Sequence, residues 1–221
     1  MTDASTVSNA MSVGRRDGQD QWSRRPYPSE LATDVVTDRG VILHLRPILF
    51  DDANLLVRFH RALSPDSIYR RYFSIHPELS AAEVRHLTQV DYVDRFAFIV
   101  ESGDALVGVG RFDRIPDTTT AEVAFIVADE YQHQGLGLVL LDHLADEAWS
   151  LGITTFTAET QSDNRSMLGV FRASGFPVAS RLEGDTISAC FSIQPTDESR
   201  ASRASRQDRL RDVGRRRGDR S

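Results

Sequence analysis

Residues 121–137 read AEVAFIVADEYQHQGLG. An apolar, strand-like run is followed by a short polar break and then by two glycines, Gly135 and Gly137, that open an apolar helix. Leu136, Leu140, Leu141, Leu144, Ala145, Ala148 and Trp149 recur at helical spacing, and Gly152 stands where a C-cap belongs. A glycine-rich turn feeding a helix N-terminus gathers free backbone N–H groups at the positive end of the helix dipole, an arrangement that attracts anions. The stretch therefore predicts a phosphate-bearing ligand at Gly135 and Gly137.

Two phosphate-binding patterns are excluded. The P-loop requires G-x-x-x-x-G-K-[ST], and the chain contains no lysine. The dinucleotide fingerprint requires a third glycine where Leu140 stands. What remains is Gln132-x-x-Gly135-x-Gly137, between a strand and a helix. This resembles the pyrophosphate loop of the GNAT superfamily of acyl-CoA-dependent N-acyltransferases.

The 221 residues allow one domain with tails. No run of 18 apolar residues and no apolar leader is present, so no membrane association and a cytoplasmic location are expected. The single cysteine, Cys190, precludes an internal disulfide, and His44, His60, His76, His86, His133 and His143 form no metal-ligand spacing, so no metal is expected. Residues 197–221 hold nine arginines against five acids, while 31–196 carry a net −10 of the chain's −6. An acidic core suits a cationic amine substrate. The arginine-rich tail, interspersed with acids and lacking aromatics, is not expected to bind nucleic acid.

Residues 1–24 are polar and aperiodic and read as a disordered tail, with order beginning near Arg25. The domain runs over 25–195, and 196–221 reads as a second unstructured tail. Between them, periodicity predicts a strand at 41–48, a helix capped by Asp51 and Asp52, and a short helix over 67–73. A capping box at Ser80–Glu83 opens a third helix. A hairpin turns at Gly103-Asp104, strands cover 120–128 and 153–160, a helix capped by Asp163 ends at Gly175, and a last hairpin turns at Gly184-Asp185. Alone, this order establishes a mixed α/β (α+β) domain. It matches the GNAT fold, a central, mostly antiparallel mixed sheet of about seven strands with helices on both faces.

The resemblance spans Arg25 to Ile193. Asn164–Phe176, NRSMLGVFRASGF, is similar to the superfamily's late motif. RPI-x-x-x-D-A (Arg46–Ala53), SPDSIYRRYF (Ser64–Phe73), AEVAFIVAD and SRLEG (Ser180–Gly184) most resemble bacterial protein lysine acetyltransferases. That group often carries a cyclic-nucleotide-binding or acyl-CoA-synthetase-like region, which is not expected in tails this short. The resemblance implies acetyl-CoA as co-substrate. It implies that Phe125, Ile126 and Val127 pair with the pantetheine arm through backbone groups and that the N–H groups of His133, Gln134, Gly135, Leu136, Gly137 and Leu138 hold the pyrophosphate. Asn164 would bond the pantetheine, and Arg165 would reach the nucleotide phosphates. Gln134 departs from the basic residue common just before the first glycine, a loss of about 1–2 kcal/mol of phosphate contact.

Transfer to an amine of pKa about 10.4 needs a base. Glu122 is the candidate: it alternates with Ala124 and Ile126, and among apolar neighbours its pKa would rise toward neutrality. The same Glu is the base in the proteins this chain resembles. The tyrosine that usually protonates the thiolate is replaced by Phe171, so either the thiolate leaves unassisted or a water or Tyr131 serves. Tyr69, Arg70, Arg71, Phe73 and His76 lie where this fold shapes the acceptor pocket. The reading is an acetyl-CoA-dependent N-acetyltransferase acting on protein lysines. A small-amine acetyltransferase and a catalytically silent acyl-CoA sensor remain open. A protein acceptor predicts a broad acidic groove, a metabolite a closed pocket.

Overall fold

The computed structural model describes residues 24–205 and residue 208. The expected tail at 1–23 lies outside the described residues. Eight strands form one sheet: β1 Thr33–Val36, β2 Ile42–Pro47, β3 Arg95–Ser102, β4 Ala105–Arg114, β5 Thr120–Val127, β6 Thr155–Gln161, β7 Val178–Glu183 and β8 Thr186–Ser192, in the order β1-β2-β3-β4-β5-β6-β8-β7. Every pairing is antiparallel except β5 with β6. The helices are α1 Ala53–Ala62, α2 Pro65–Tyr72, α3 Ala81–Thr88, α4 Leu136–Ser150, α5 Arg165–Ala173 and α6 at 197–205. The strand beyond the expected seven is β1, whose four residues, TDVV, are too few to declare a period.

The two sheet faces differ in cover. On one, α4 lies close because β4 offers Gly108 and Gly110: a Cβ on Gly110 would stand 3.0 Å from Leu144 and 3.2 Å from Leu140. Phenylalanines step across that face, with Phe96–Phe112 centroids 5.6 Å apart, Phe112–Phe156 6.1 Å and Phe156–Phe191 6.0 Å. Each such ring taken from water is worth about 1.5–3 kcal/mol. α5 joins this face through Phe171, 5.5 Å from Phe191. On the opposite face α1, α2 and α3 cover the middle of the sheet, where Leu56, Phe59 and Leu87 enclose Val109 and Ala124.

Asp52 turns away from the helix it was expected to cap: its carboxylate takes both Nη groups of Arg46, each at 2.8 Å, and the N–H of Leu49. Arg46 also grips Glu101 at 2.9 and 2.8 Å. The Arg-Pro-Ile phrase is therefore a strut fastening β2, β3 and the start of α1. At α5 the cap is Asn164, which accepts from Met167 N–H at 3.1 Å, not Asp163. The capping box of α3 forms as expected, from Ser80 to Glu83.

The C-terminal segment differs from the unstructured tail expected after residue 195, because 197–205 is helical. Thr196 caps it by accepting from Ser199 N–H at 3.0 Å, and Ser199 is fully buried against Gly175. Arg203 then lies 5.7 Å from the ring centre of Phe176 and pairs with Asp146 of α4. These long-range anchors are invisible to a local count of polar residues.

Candidate active site

The site originates in a mismatch between strands. β5 and β6 run parallel and pair only over Thr120–Glu122 and Thr155–Thr157, then part. Beyond Glu122 the outer edge of β5 is left unpaired, and a cleft of about 570 Å³ opens between β5, the loop before α4, β6 and α5, with α2 as a wall. Backbone direction alternates along a strand. Ala128 N–H bonds Val107 of β4, and Ala121 C=O accepts from Thr157 of β6. Phe125 and Val127 therefore turn their backbone groups into the cleft, while those of Ile126 face β4. An unpaired strand edge is a template for an extended, amide-bearing ligand arm.

At one end the chain makes an anion cradle. His133 and Gly135 have positive φ, 56° and 79°, curling the loop so that successive amides point inward. The N–H groups of His133, Gln134, Gly135, Leu136 and Gly137 have no protein acceptor among the described residues, whereas Leu138 N–H bonds Gly135 C=O at 3.1 Å. Each glycine has its own packing reason. A Cβ on Gly135 would fall 2.7 Å from the Asp38 carboxylate, and one on Gly137 would meet Val170 at 3.1 Å.

The side chains the sequence places in this loop divide. Gln134 is 4% exposed and donates to Glu130 C=O at 2.6 Å, so its amide supports the loop from behind and does not line the cleft. Gln132 ties the loop to its surroundings, donating to Ser67 Oγ at 2.8 Å and to Val127 C=O at 3.0 Å. Asn164 lines the cleft with its Oδ1 spent on the α5 cap, which leaves its NH₂ as the free donor. Arg165 is exposed on the first turn of α5 and lies outside the cleft lining.

At the other end stands Glu122. It lines the cleft but is exposed, so the apolar surroundings expected for it are not found. It lies across from Asp113 on β4 and Thr157 on β6. Burial pushes the Asp113 carboxyl up, but Arg111 at 2.9 Å and Arg95 at 3.1 Å outweigh it and hold it below the usual carboxylate range. Asp113 is thus committed to two arginines, and Glu122 has no hydrogen-bonded or ionic partner among the described residues. Phe171, buried beside Phe191, has no proton to give, and Tyr131 donates its hydroxyl to Ser102 Oγ at 3.0 Å.

The model of the Acetyltransferase (GNAT) family matches residues 63–176, just over half the chain. The chain belongs to the GNAT acetyltransferase family. It is 32% identical over 145 residues to "Acetyltransferase Pat" of Mycolicibacterium smegmatis, covering 64% of this chain and 41% of that protein. It therefore spans about two fifths of that relative's length. Among solved structures, the GNAT domain of S. lividans PAT superposes with TM-score 0.71 at 35% identity, covering 75% of this chain and 99% of that one. A putative acetyltransferase from Salmonella typhimurium with its cofactor acetyl-CoA gives TM-score 0.57 at 17% identity, covering 70% and 95%, a likeness of fold alone.

GNAT acetyltransferases use acetyl-CoA, and the edge, cradle and cleft described above are what such a co-substrate needs. Some of the lining was not legible in the sequence. Asp38 comes from the turn after the unread β1, and Thr160, 2% exposed with no partner for its hydroxyl among the described residues, comes from β6. Tyr72, within the SPDSIYRRYF phrase, also lines the cleft, between Arg71 and Phe73. Among the described residues no cluster has the make-up of a metal site and no helix is long and apolar enough to cross a membrane.

Proposed function

We propose that this GNAT acetyltransferase transfers acetyl groups to lysine side chains of proteins, directly, in a ternary complex. The observation that carries the protein acceptor is the row Glu122–Thr157–Cys190–Ala179, which runs across β5, β6, β8 and β7 on one face, with Glu122, Cys190 and Ala179 exposed and Thr157 half-buried. The row behind it, Ala121–Phe156–Phe191, is buried. Glu122 thus sits at the border of an open, uncovered sheet face, where a large substrate can lie, and not at the bottom of a closed pocket. The face is mixed in charge, with Glu159 and Glu183 beside Arg181, unlike the acidic groove expected from composition. The name of the Mycolicibacterium relative and the PAT domain supports the same direction.

In this reading Phe125 and Val127 hold the pantetheine arm, the amides of His133–Gly137 hold the pyrophosphate, and the Asn164 NH₂ donates to the arm. Val127 N–H polarises the thioester carbonyl. The amine nitrogen forms a bond to the carbonyl carbon, Glu122 takes the proton directly or through water, and the carbon–sulfur bond breaks. The thiolate, of pKa about 8.5 in model thiols, leaves without help from Phe171 or Tyr131.

Labelled acetyl-CoA supplied with a lysate and, separately, with a panel of small amines tests the acceptor class. Label on protein lysines is the expected result. Label confined to small amines would replace the protein acceptor with a metabolite, and binding of acetyl-CoA without transfer to either would favour the silent sensor.

A further inference from the structure

Arg71 differs from the other arginines of the fold. Each of the other arginines at least half-buried among the described residues has an acidic partner: Arg25, Arg46, Arg70, Arg95, Arg111, Arg114 and Arg203. The arginines without one, such as Arg58 and Arg165, are exposed. Arg71 is half-buried and makes no ion pair or hydrogen bond through its guanidinium among the described residues. Burial lowers its pKa, the mark of a cation whose water has been removed without replacement by an anion.

Its place is fixed. The guanidinium lies 5.2 Å from the centre of the Tyr72 ring, and that ring stacks on His76 at 4.4 Å. Arg71 lines the cleft that also contains Glu122, and the two feel each other's charge without bridging. Arg71 also shares a small neighbouring cavity of about 30 Å³ with Arg111. The Arg111 Nη1 is buried with no partner among the described residues, its other donors being spent on Asp113. Two donors on this side of Glu122 therefore lack an acceptor among the described residues, and the Asp113 carboxylate is already shared by Arg95 and Arg111.

We propose that the acceptor brings the missing carboxylate: an acidic side chain next to the target lysine seats on Arg71 while the amine is presented to Glu122. This rests on the protein-acceptor reading and adds a sequence preference to it. A carboxylate matches the planar fork of arginine and a lysine ammonium does not, so an acceptor with basic neighbours is disfavoured.

Three peptides identical except for aspartate, asparagine or arginine beside one lysine test this with the full chain, together with small amines with and without an adjacent carboxylate. Wild type is expected to favour the aspartate peptide over the asparagine one by about tenfold in kcat/KM, the ratio corresponding to roughly 1.4 kcal/mol. Arg71→Gln is expected to remove the preference with acetyl-CoA affinity unchanged, and Arg71→Lys to restore part of it. Equal use of all three peptides by wild type overturns the proposal, as does an Arg71→Gln that slows all three alike. If no peptide reacts but carboxylate-bearing small amines outrun their plain counterparts through Arg71, the protein acceptor fails and the anion site stands. Absence of transfer in both panels overturns both.

Discussion

Arg46 forms four charge-assisted contacts of 2.8 to 2.9 Å with two carboxylates that are themselves mostly buried. Burial alone would lower its pKa, but Asp52 and Glu101 together raise it above the ordinary arginine value. Arg46→Ala leaves both acids without a counter-charge and should cost on the order of 3 kcal/mol in denaturant unfolding. Asp129 is the residue-scale anchor of the cleft wall, accepting from Ser64 N–H at 2.8 Å, Ser64 Oγ at 2.6 Å and Ser67 Oγ at 2.7 Å. Burial pushes its carboxyl up, and these hydrogen bonds outweigh it and hold it below the ordinary value. A depressed carboxyl stabilises above its unfolded pKa and ceases to do so as pH falls through the folded one. Wild type should therefore melt above Asp129→Asn near neutrality, and the gap should shrink below about pH 4. A gap independent of pH would contradict this.

At the scale of elements, the close seating of α4 on β4 sets the width of the cleft. Gly110 has no room for a side chain between Leu140, Leu144 and Phe125. Gly110→Val should lose about 1–3 kcal/mol by overpacking and weaken acetyl-CoA binding by shifting β5 and α4, measured by thermal melt and calorimetry. Elements like α4 were legible because their apolar period is long and uninterrupted, and the hairpins at Gly103 and Gly184 because each glycine is needed at positive φ, 58° and 60°. β1 and α6 were not. β1 owes its existence to pairing with β2, and α6 to contacts with Gly175, Phe176 and Asp146, partners far away in sequence. The cradle was legible as a glycine pattern. That Gln134 supports it from behind, and that Gly137 makes room for Val170, depends on packing that no local pattern records.

Across the whole molecule, the cleft joins two kinds of chemistry at the ends of one strand. Among the described residues, amides without acceptors lie beyond the end of β5, and a carboxylate without a partner lies near its start, where β6 ceases to pair and the sheet face is open. Each end has a distinct failure. Damage to the cradle should weaken acetyl-CoA binding, whereas loss of the carboxylate should spare binding and slow transfer. The comparison of Glu122→Gln with wild type tests this division most directly, by measuring acetyl-CoA affinity and transfer rate to one acceptor on the same preparations. The expected result is unchanged affinity with transfer slowed by about 100-fold or more. Transfer at the wild-type rate, or a loss that tracks weakened acetyl-CoA binding, would contradict the assignment of Glu122 as the base.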